Sequence, residues 1–265
     1  MSSIDIFKKY YKEEKEELTK VIDKYNNEFK KEDNSIIQEN LEFFQNLNSD
    51  GKLVRGTLVD LGYYLLKDNK EYSRNLALAY EVFQTAILVH DDIIDKDEIR
   101  RGKETIHNRN YKKYNKYSND KEELINLSNS IGICMGDYGL YSANKIISDN
   151  YSNDTNLGKV LSYFNTTVLN TIKGELLDVI LPFQSKHMNI DNKLLEESIA
   201  FQIQDDILGI YSNEMGKVIG SDIKEFKQTI LYSHIKSTSY IDELEKYYGK
   251  DNLTKEVVDK VKDIF

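Results

Sequence analysis

The sequence predicts an all-α protein, a single domain formed by a bundle of long helices, and three observations carry that expectation. The chain of 265 residues holds one proline, Pro182, so little interrupts the hydrogen-bond ladder of long helices. Apolar residues recur at three- and four-residue spacing, while strand-like alternation and two-residue hairpin turns are scarce. One stretch, Leu76 to Val89, is apolar nearly all round, as a helix at the centre of a bundle should be.

The elements follow in order. Ile6, Phe7, Tyr10 and Tyr11, then Leu18, Val21, Ile22 and Tyr25, mark one face of a first helix. Breaks are expected at the largely polar run Asn46 to Gly51, at Asn108 to Asp120, and at Ser148 to Gly158. No internal repeat, linker or low-complexity segment divides the chain, so one domain over 1–265 is expected, long enough for a sizeable core.

Composition narrows the function. A lone cysteine, Cys134, excludes an internal disulfide framework and fits a reducing compartment. The Met1 end has no apolar signal region and no stretch approaches a membrane span, so a cytoplasmic protein is expected. A net charge of -9 argues against a general nucleic-acid binder. It leaves anionic substrates open, because acidic residues bind polyphosphates through metal ions.

Asp91, Asp92 and Asp95 form a D-D-x-x-D pattern at the end of the apolar helix. Asp91 and Asp95, four residues apart, project from one face about 6 Å apart along the axis. Like charges placed there repel, and hard divalent cations resolve the conflict, with magnesium keeping positions for water and phosphate oxygens. A solvated acidic helix end is the bland alternative, and with 45 acidic residues the pattern alone decides nothing. The context does more: Arg100, Arg101 and Gly102 follow, then Thr105 and His107, and adjacent guanidinium groups suit a diphosphate.

Here the chain resembles the trans-isoprenyl diphosphate synthase family, whose first motif reads D-D-x-x-D followed by R-R-G-x-x-T-x-H. Gly51, Lys52 and Arg55 resemble its G-K-x-x-R element, which grips the diphosphate of isopentenyl diphosphate; alone, Lys52 and Arg55 would read as surface charge. Gln84 stands where members carry a histidine or glutamine for the same substrate. Gly136-Asp137-Tyr138 and Gly174-Glu175-Leu176-Leu177-Asp178 resemble two further signatures. Phe201-Gln202-Ile203-Gln204-Asp205-Asp206 has the family's F-Q-x-x-D-D frame, followed by Gly216-Lys217, Gly220-Ser221-Asp222, Glu225, Lys227 and Thr229. Gly209 replaces the third aspartate of this second motif.

The resemblance implies a fold of the isoprenoid synthase type, with helices around a central active-site cavity, and a homodimer. It implies magnesium held by Asp91, Asp92, Asp95, Asp205 and Asp206. Arg100, Lys217 and Lys227 would stabilise the leaving allylic diphosphate, with Gln202 near the allylic cation. Lys52, Arg55, Gln84 and Arg101 would hold isopentenyl diphosphate. Catalysis would thus centre on Asp91, Asp95, Arg100, Gln202, Asp205 and Lys217.

Product length is expected to depend on side chains before Asp91. Ala86 and Ile87 are small and moderate, so a growing chain passes them, while Phe83, about 12 Å along the axis, forms a floor. Geranylgeranyl diphosphate is the expected product, with farnesyl or longer chains as alternatives. Core packing is the bland role for Phe83.

Two departures from the family stand out. Only 26 residues separate Asp178 from Asp205, where about two more helices and a Lys-Thr pair are normal, and the sequence stops at Phe265, before the usual closing helices, so either a reduced member or a sequence that lacks segments is expected. A non-catalytic partner subunit of a heteromeric synthase is therefore a second reading. A terpene cyclase is disfavoured, because Asp205-Asp206 stands where an Asn-Ser/Thr-Glu motif would be.

Overall fold

The structure, a computed structural model, describes residues 3–28, 34–49, 51–67, 70–187, 235, 238–248 and 254–264. In chain order these form α1 (Ser3–Glu28), α2 (Ser35–Ser49), α3 (Val54–Tyr64), α4 (Lys70–Ile94), β1 (Ile99–Arg100), β2 (Lys103–Glu104), α5 (Ile106–Tyr114), α6 (Lys121–Asn150), α7 (Leu157–His187), α8 (Ile241–Leu244) and α9 (Lys255–Ile264). They fall into two compact units, Met1–Glu98 with Glu104–Ser162, and Ile99–Lys103 with Tyr163–Phe265. The fold is all-α, interrupted among the described residues only by the short hairpin β1–β2.

In the first unit α4 packs most extensively against α6, and the sequence shows why the two helices come so close. Gly132, Gly136 and Gly139 share one face of α6. A Cβ at Gly132 would lie 2.6 Å from Ile93 Cδ1, one at Gly136 would overlap the His90 ring, and one at Gly139 would lie 2.7 Å from Ala86 Cβ. The partners descend from 93 to 86 as the glycines ascend, so the helices run antiparallel. The absence of three side chains on α6 lets α4 seat its own against the α6 backbone. Val82, Ala86 and Val89 of α4 are buried, as are Met135, Ala143 and Ile147 of α6.

A polar clamp ties α3 and α1 to α4. Asp60 of α3 is fully buried, accepts from Ser73 Oγ at 2.5 Å and pairs with Arg74, which also binds Glu14 of α1. Burial raises the Asp60 carboxyl above its ordinary range despite these partners. The neighbouring Tyr10 is pushed up to about 12, first by burial and then by the charges of Glu14 and Asp60.

The break expected over Asn108 to Asp120 needs correction, because α5 occupies most of it and the connection is confined to 115–120. The buried residues of α5 are Ile106, Asn108 and Asn110. Asn110 Nδ2 donates to Ile106 O at 3.0 Å and to Asn40 Oδ1 at 3.1 Å, so hydrogen bonds replace the apolar periodicity that would have revealed the helix. Asp120 then caps α6, accepting from the backbone N–H of Glu122 and Glu123 at 2.9 and 3.1 Å.

In the second unit Ile235, Leu244, Tyr248, Val258 and Val261 form a small core, with Ile241, Tyr247 and Ile264 packed on it. No helix among the described residues is long and apolar enough to cross a membrane.

Candidate active site

The turn that carries Gly51, Lys52 and Arg55 is strained and firmly held. Leu53, the N-cap of α3, adopts φ 56 and ψ 29, a left-handed conformation unfavourable for a side chain of its size. Its side chain is 1% exposed, so burial keeps the turn in place while Lys52 and Arg55 stay at the surface. Leu53 offers no capping side chain. Glu81 of α4 supplies the missing acceptor from a distance: its Oε1 takes the Gly56 N–H at 2.6 Å. A Cβ at Gly56 would lie 2.5 Å from Leu18 Cδ2, so glycine is required where α3 meets α1. Tyr11 of α1 donates its hydroxyl to the Lys52 carbonyl. Gln84 lies three residues beyond Glu81 and is partly exposed. Sequence reasoning missed Glu81 and Tyr11 as positioning residues; a carboxylate inside the apolar Leu76 to Val89 stretch was the available signal.

Helix α4 ends abruptly at its acidic motif. Asp97 N donates to Asp92 O at 2.9 Å, Lys96 N to Ile93 O at 3.3 Å, and Lys96 has φ 57. This is a Schellman termination, with lysine in place of the usual glycine. Asp91 and Asp95 are partly exposed, whereas Asp92 is 2% exposed. Three carboxylates therefore crowd the end of a helix whose dipole is already negative there, and each makes interactions with its surroundings. Among the described residues no group of three or more His, Cys, Asp and Glu side chains is gathered as a metal site. As hard oxygen donors on one face, Asp91 and Asp95 have the chemistry that a divalent cation needs.

The Arg100-Arg101-Gly102 run forms the β1–β2 hairpin. Arg101 and Gly102 occupy its two-residue loop with φ 53 and 75, both positive as a type I′ turn requires. The flanking segments are tied together: Thr105 Oγ1 donates to Asp97 O at 2.8 Å, and Asn108 Nδ2 to Glu98 O at 2.9 Å. Thr105 is fully buried, which gives the threonine of the motif a structural task. Burial holds the His107 imidazole below its ordinary value, and its buried Nδ1 has no hydrogen-bond partner among the described residues.

Phe83 and Ile87 lie in one stripe with Asp91, Phe83 being 4% exposed and Ile87 partly exposed. Ala86 is fully buried on an adjacent face, at Gly139 of α6, where the Phe44 ring of α2 also packs. Gly174, Glu175 and Asp178 fall on α7 and are partly exposed. Gln202, Asp205, Asp206, Lys217 and Lys227 lie outside the described residues.

An all-α fold whose acidic helix ends in D-D-x-x-D, beside a helix begun by a pinned G-K-x-x-R turn, defines the isoprenoid synthase class of fold. Within it, the chain belongs to the polyprenyl synthetase family, whose sequence profile matches residues 35–198 and 184–265. A short chain isoprenyl diphosphate synthase of Methanocaldococcus jannaschii is 27% identical over 236 residues, 76% of this chain and 66% of that protein. A geranylgeranyl diphosphate synthase of Saccharolobus solfataricus is 29% identical over 227 residues, 77% of this chain and 67% of that protein. The matched region thus spans about two thirds of the length of these relatives. The crystal structure of a Corynebacterium glutamicum geranylgeranyl pyrophosphate synthase, complexed with isoprenyl diphosphate and magnesium, shares the fold. The TM-score is 0.75 at 21% identity, covering 97% of this chain and 85% of that one. A Pyrococcus horikoshii geranylgeranyl pyrophosphate synthetase aligns with TM-score 0.73 at 21% identity and the same coverage.

Proposed function

We propose that this chain is a magnesium-dependent trans-prenyltransferase that condenses isopentenyl diphosphate with an allylic diphosphate to give geranylgeranyl diphosphate. The observation that carries the reading is the end of α4, where Asp91 and Asp95 stand on one face at the negative pole of a helix that terminates there. Their oxygens are the hard donors that a divalent cation takes. Asp91, Asp92 and Asp95, with Asp205 and Asp206 of the second motif, are the residues that would hold magnesium. Bound magnesium would supply positive charge against the charge that grows on a departing diphosphate.

Lys52 and Arg55 would grip isopentenyl diphosphate with Gln84 and Arg101, on a turn held rigid by Tyr11, Glu81 and the buried Leu53. Arg100, Lys217 and Lys227 would neutralise the allylic diphosphate, and Gln202 would face the allylic cation. The allylic C–O bond breaks, the double bond of isopentenyl diphosphate forms the new C–C bond, and the released diphosphate takes the proton. Incubation of purified protein with labelled isopentenyl diphosphate, magnesium and geranyl or farnesyl diphosphate should yield a C20 product on chromatography. The short spacing between Asp178 and Asp205 favours a second reading, a non-catalytic partner subunit, and absence of product from every allylic primer would establish it over the first.

A further inference from the structure

The side chains proposed to hold isopentenyl diphosphate come from two places far apart in sequence, and a buried bridge joins them. Lys52 and Arg55 belong to the turn between α2 and α3, whereas Gln84 belongs to α4. Asn48, in the last turn of α2, is 2% exposed, and its Oδ1 accepts from Thr85 Oγ1 at 2.9 Å. Thr85 is also buried and directly follows Gln84.

Helix α4 thereby holds the turn at both ends. On the α3 side Glu81 Oε1 accepts the Gly56 N–H at 2.6 Å, and on the α2 side Thr85 reaches Asn48. Glu81 and Thr85 stand one helical turn apart on one face of α4. A Cβ at Gly51 would lie 3.6 Å from Glu81 Oε2, so the turn rests on that same face. A turn fastened at one point can swing about it; fastened at two, it keeps one position on α4. Asp91 lies on the same helix, six residues beyond Thr85 and about 9 Å along the axis. The bridge therefore sets where Lys52 and Arg55 stand relative to Gln84 and to the acidic end of α4.

Stability alone does not account for this bridge. Asn48 Nδ2 is buried and has no hydrogen-bond partner among the described residues, which is unfavourable for a donor. Thr85 Oγ1 has a second acceptor, the Glu81 carbonyl of its own helix, at 3.1 Å. An apolar residue at 48 would remove the unsatisfied donor and leave the Thr85 hydroxyl bonded. A polar contact kept between helices against such a local penalty is characteristic of places where function fixes the arrangement.

We infer, on the reading of Lys52, Arg55 and Gln84 as the grip on isopentenyl diphosphate, that Asn48 and Thr85 are positioning residues for that substrate. Neither touches it. Without their hydrogen bond the turn shifts on α4, and a diphosphate held by Lys52 and Arg55 moves away from Gln84 and from the acidic end. The allylic diphosphate is held by other side chains and is unaffected.

Two substitutions of Thr85 separate the hydrogen bond from packing. Thr85→Val keeps the side-chain volume and removes the hydroxyl, whereas Thr85→Ser keeps the hydroxyl and removes a methyl group. With the full chain, KM is measured for isopentenyl diphosphate and for geranyl diphosphate at saturating magnesium, and isopentenyl diphosphate binding is measured by titration calorimetry. Thr85→Val should weaken binding of isopentenyl diphosphate and raise its KM about three- to tenfold, with KM for geranyl diphosphate at the wild-type value. Thr85→Ser should keep the wild-type KM for both, even if its melting temperature falls. Asn48→Ala reads the same bond from the other side, also if Thr85→Val fails to fold, and the double variant should be no worse than either single one. An unchanged isopentenyl diphosphate KM in the folded variants, an equal rise for both substrates, or additive effects in the double variant would each overturn the inference and leave the site assignment standing. Wild type that neither binds nor turns over isopentenyl diphosphate would overturn the site assignment, and the inference with it.

Discussion

Individual side chains along α4 differ in burial and in what they pack against. Phe83, Ile87 and Asp91 share a stripe, and Phe83 is the bulkiest group in it. Phe83→Ala should shift the product toward longer chains, read by chromatography of dephosphorylated products. Because Phe83 is 4% exposed, the variant should also lose about 3–5 kcal/mol of stability. An unchanged product distribution in a folded variant would reduce Phe83 to core packing. His107 offers a second test at this scale. Burial lowers its pKa from the ordinary 6.5, so the folded protein disfavours protonation there. Its contribution to stability is present above pH 6.5 and is lost as pH falls through the depressed folded value. His107→Phe should therefore flatten the acid limb of a stability–pH profile measured by urea unfolding.

Helices impose the next set of constraints, and the α4–α6 pair is the one on which the acidic motif depends. Gly136 admits the His90 ring, whose Nε2 lies 3.1 Å from Ile133 O and 3.6 Å from Asp137 Oδ1. His90 immediately precedes Asp91, so this contact sets the rotation of α4 at its functional end. In Gly136→Ala the new methyl group must displace the imidazole from between two long helices. A destabilisation of about 1–3 kcal/mol is expected despite the better helix propensity of alanine. The same variant should raise the magnesium concentration needed for half-maximal activity, because Asp91 turns with the helix. Wild-type stability and metal dependence in that protein would show that α6 does not position the motif. The Gly-Asp-Tyr signature at 136–138 thereby acquires a packing explanation that residue type alone did not supply.

Across the first unit as a whole, the Arg74 clamp joins three helices through side chains that are nearly dry. Arg74→Met would remove the guanidinium from the buried Asp60 and Glu14, a loss of about 3–5 kcal/mol by urea unfolding. Asp60 already has a raised carboxyl pKa, so its contribution is fully present below its ordinary value and is lost as pH rises through the raised one. The deficit of Arg74→Met should accordingly shrink on moving from pH 7 to about pH 5, as these carboxyls take up protons.

Much of this molecule was legible in the amino-acid order because helical periodicity and metal-binding spacing are local properties. The helical class, the central apolar helix, the Asp91–Asp95 pair and the Lys52–Arg55 element follow from neighbours within a few residues. What depends on meetings between distant residues could not be read that way. Whether Ala86 lines a path or abuts Gly139, whether Glu81 is a surface charge or the cap of α3, and whether Asn48 meets Thr85 are decided when helices pack. The hairpin at Arg101-Gly102 and the polar helix α5 likewise rest on hydrogen bonds that leave no apolar period. Sequence determined which faces each helix has; tertiary structure decided what each face touches, because burial and hydrogen-bond satisfaction are properties of assembled pairs.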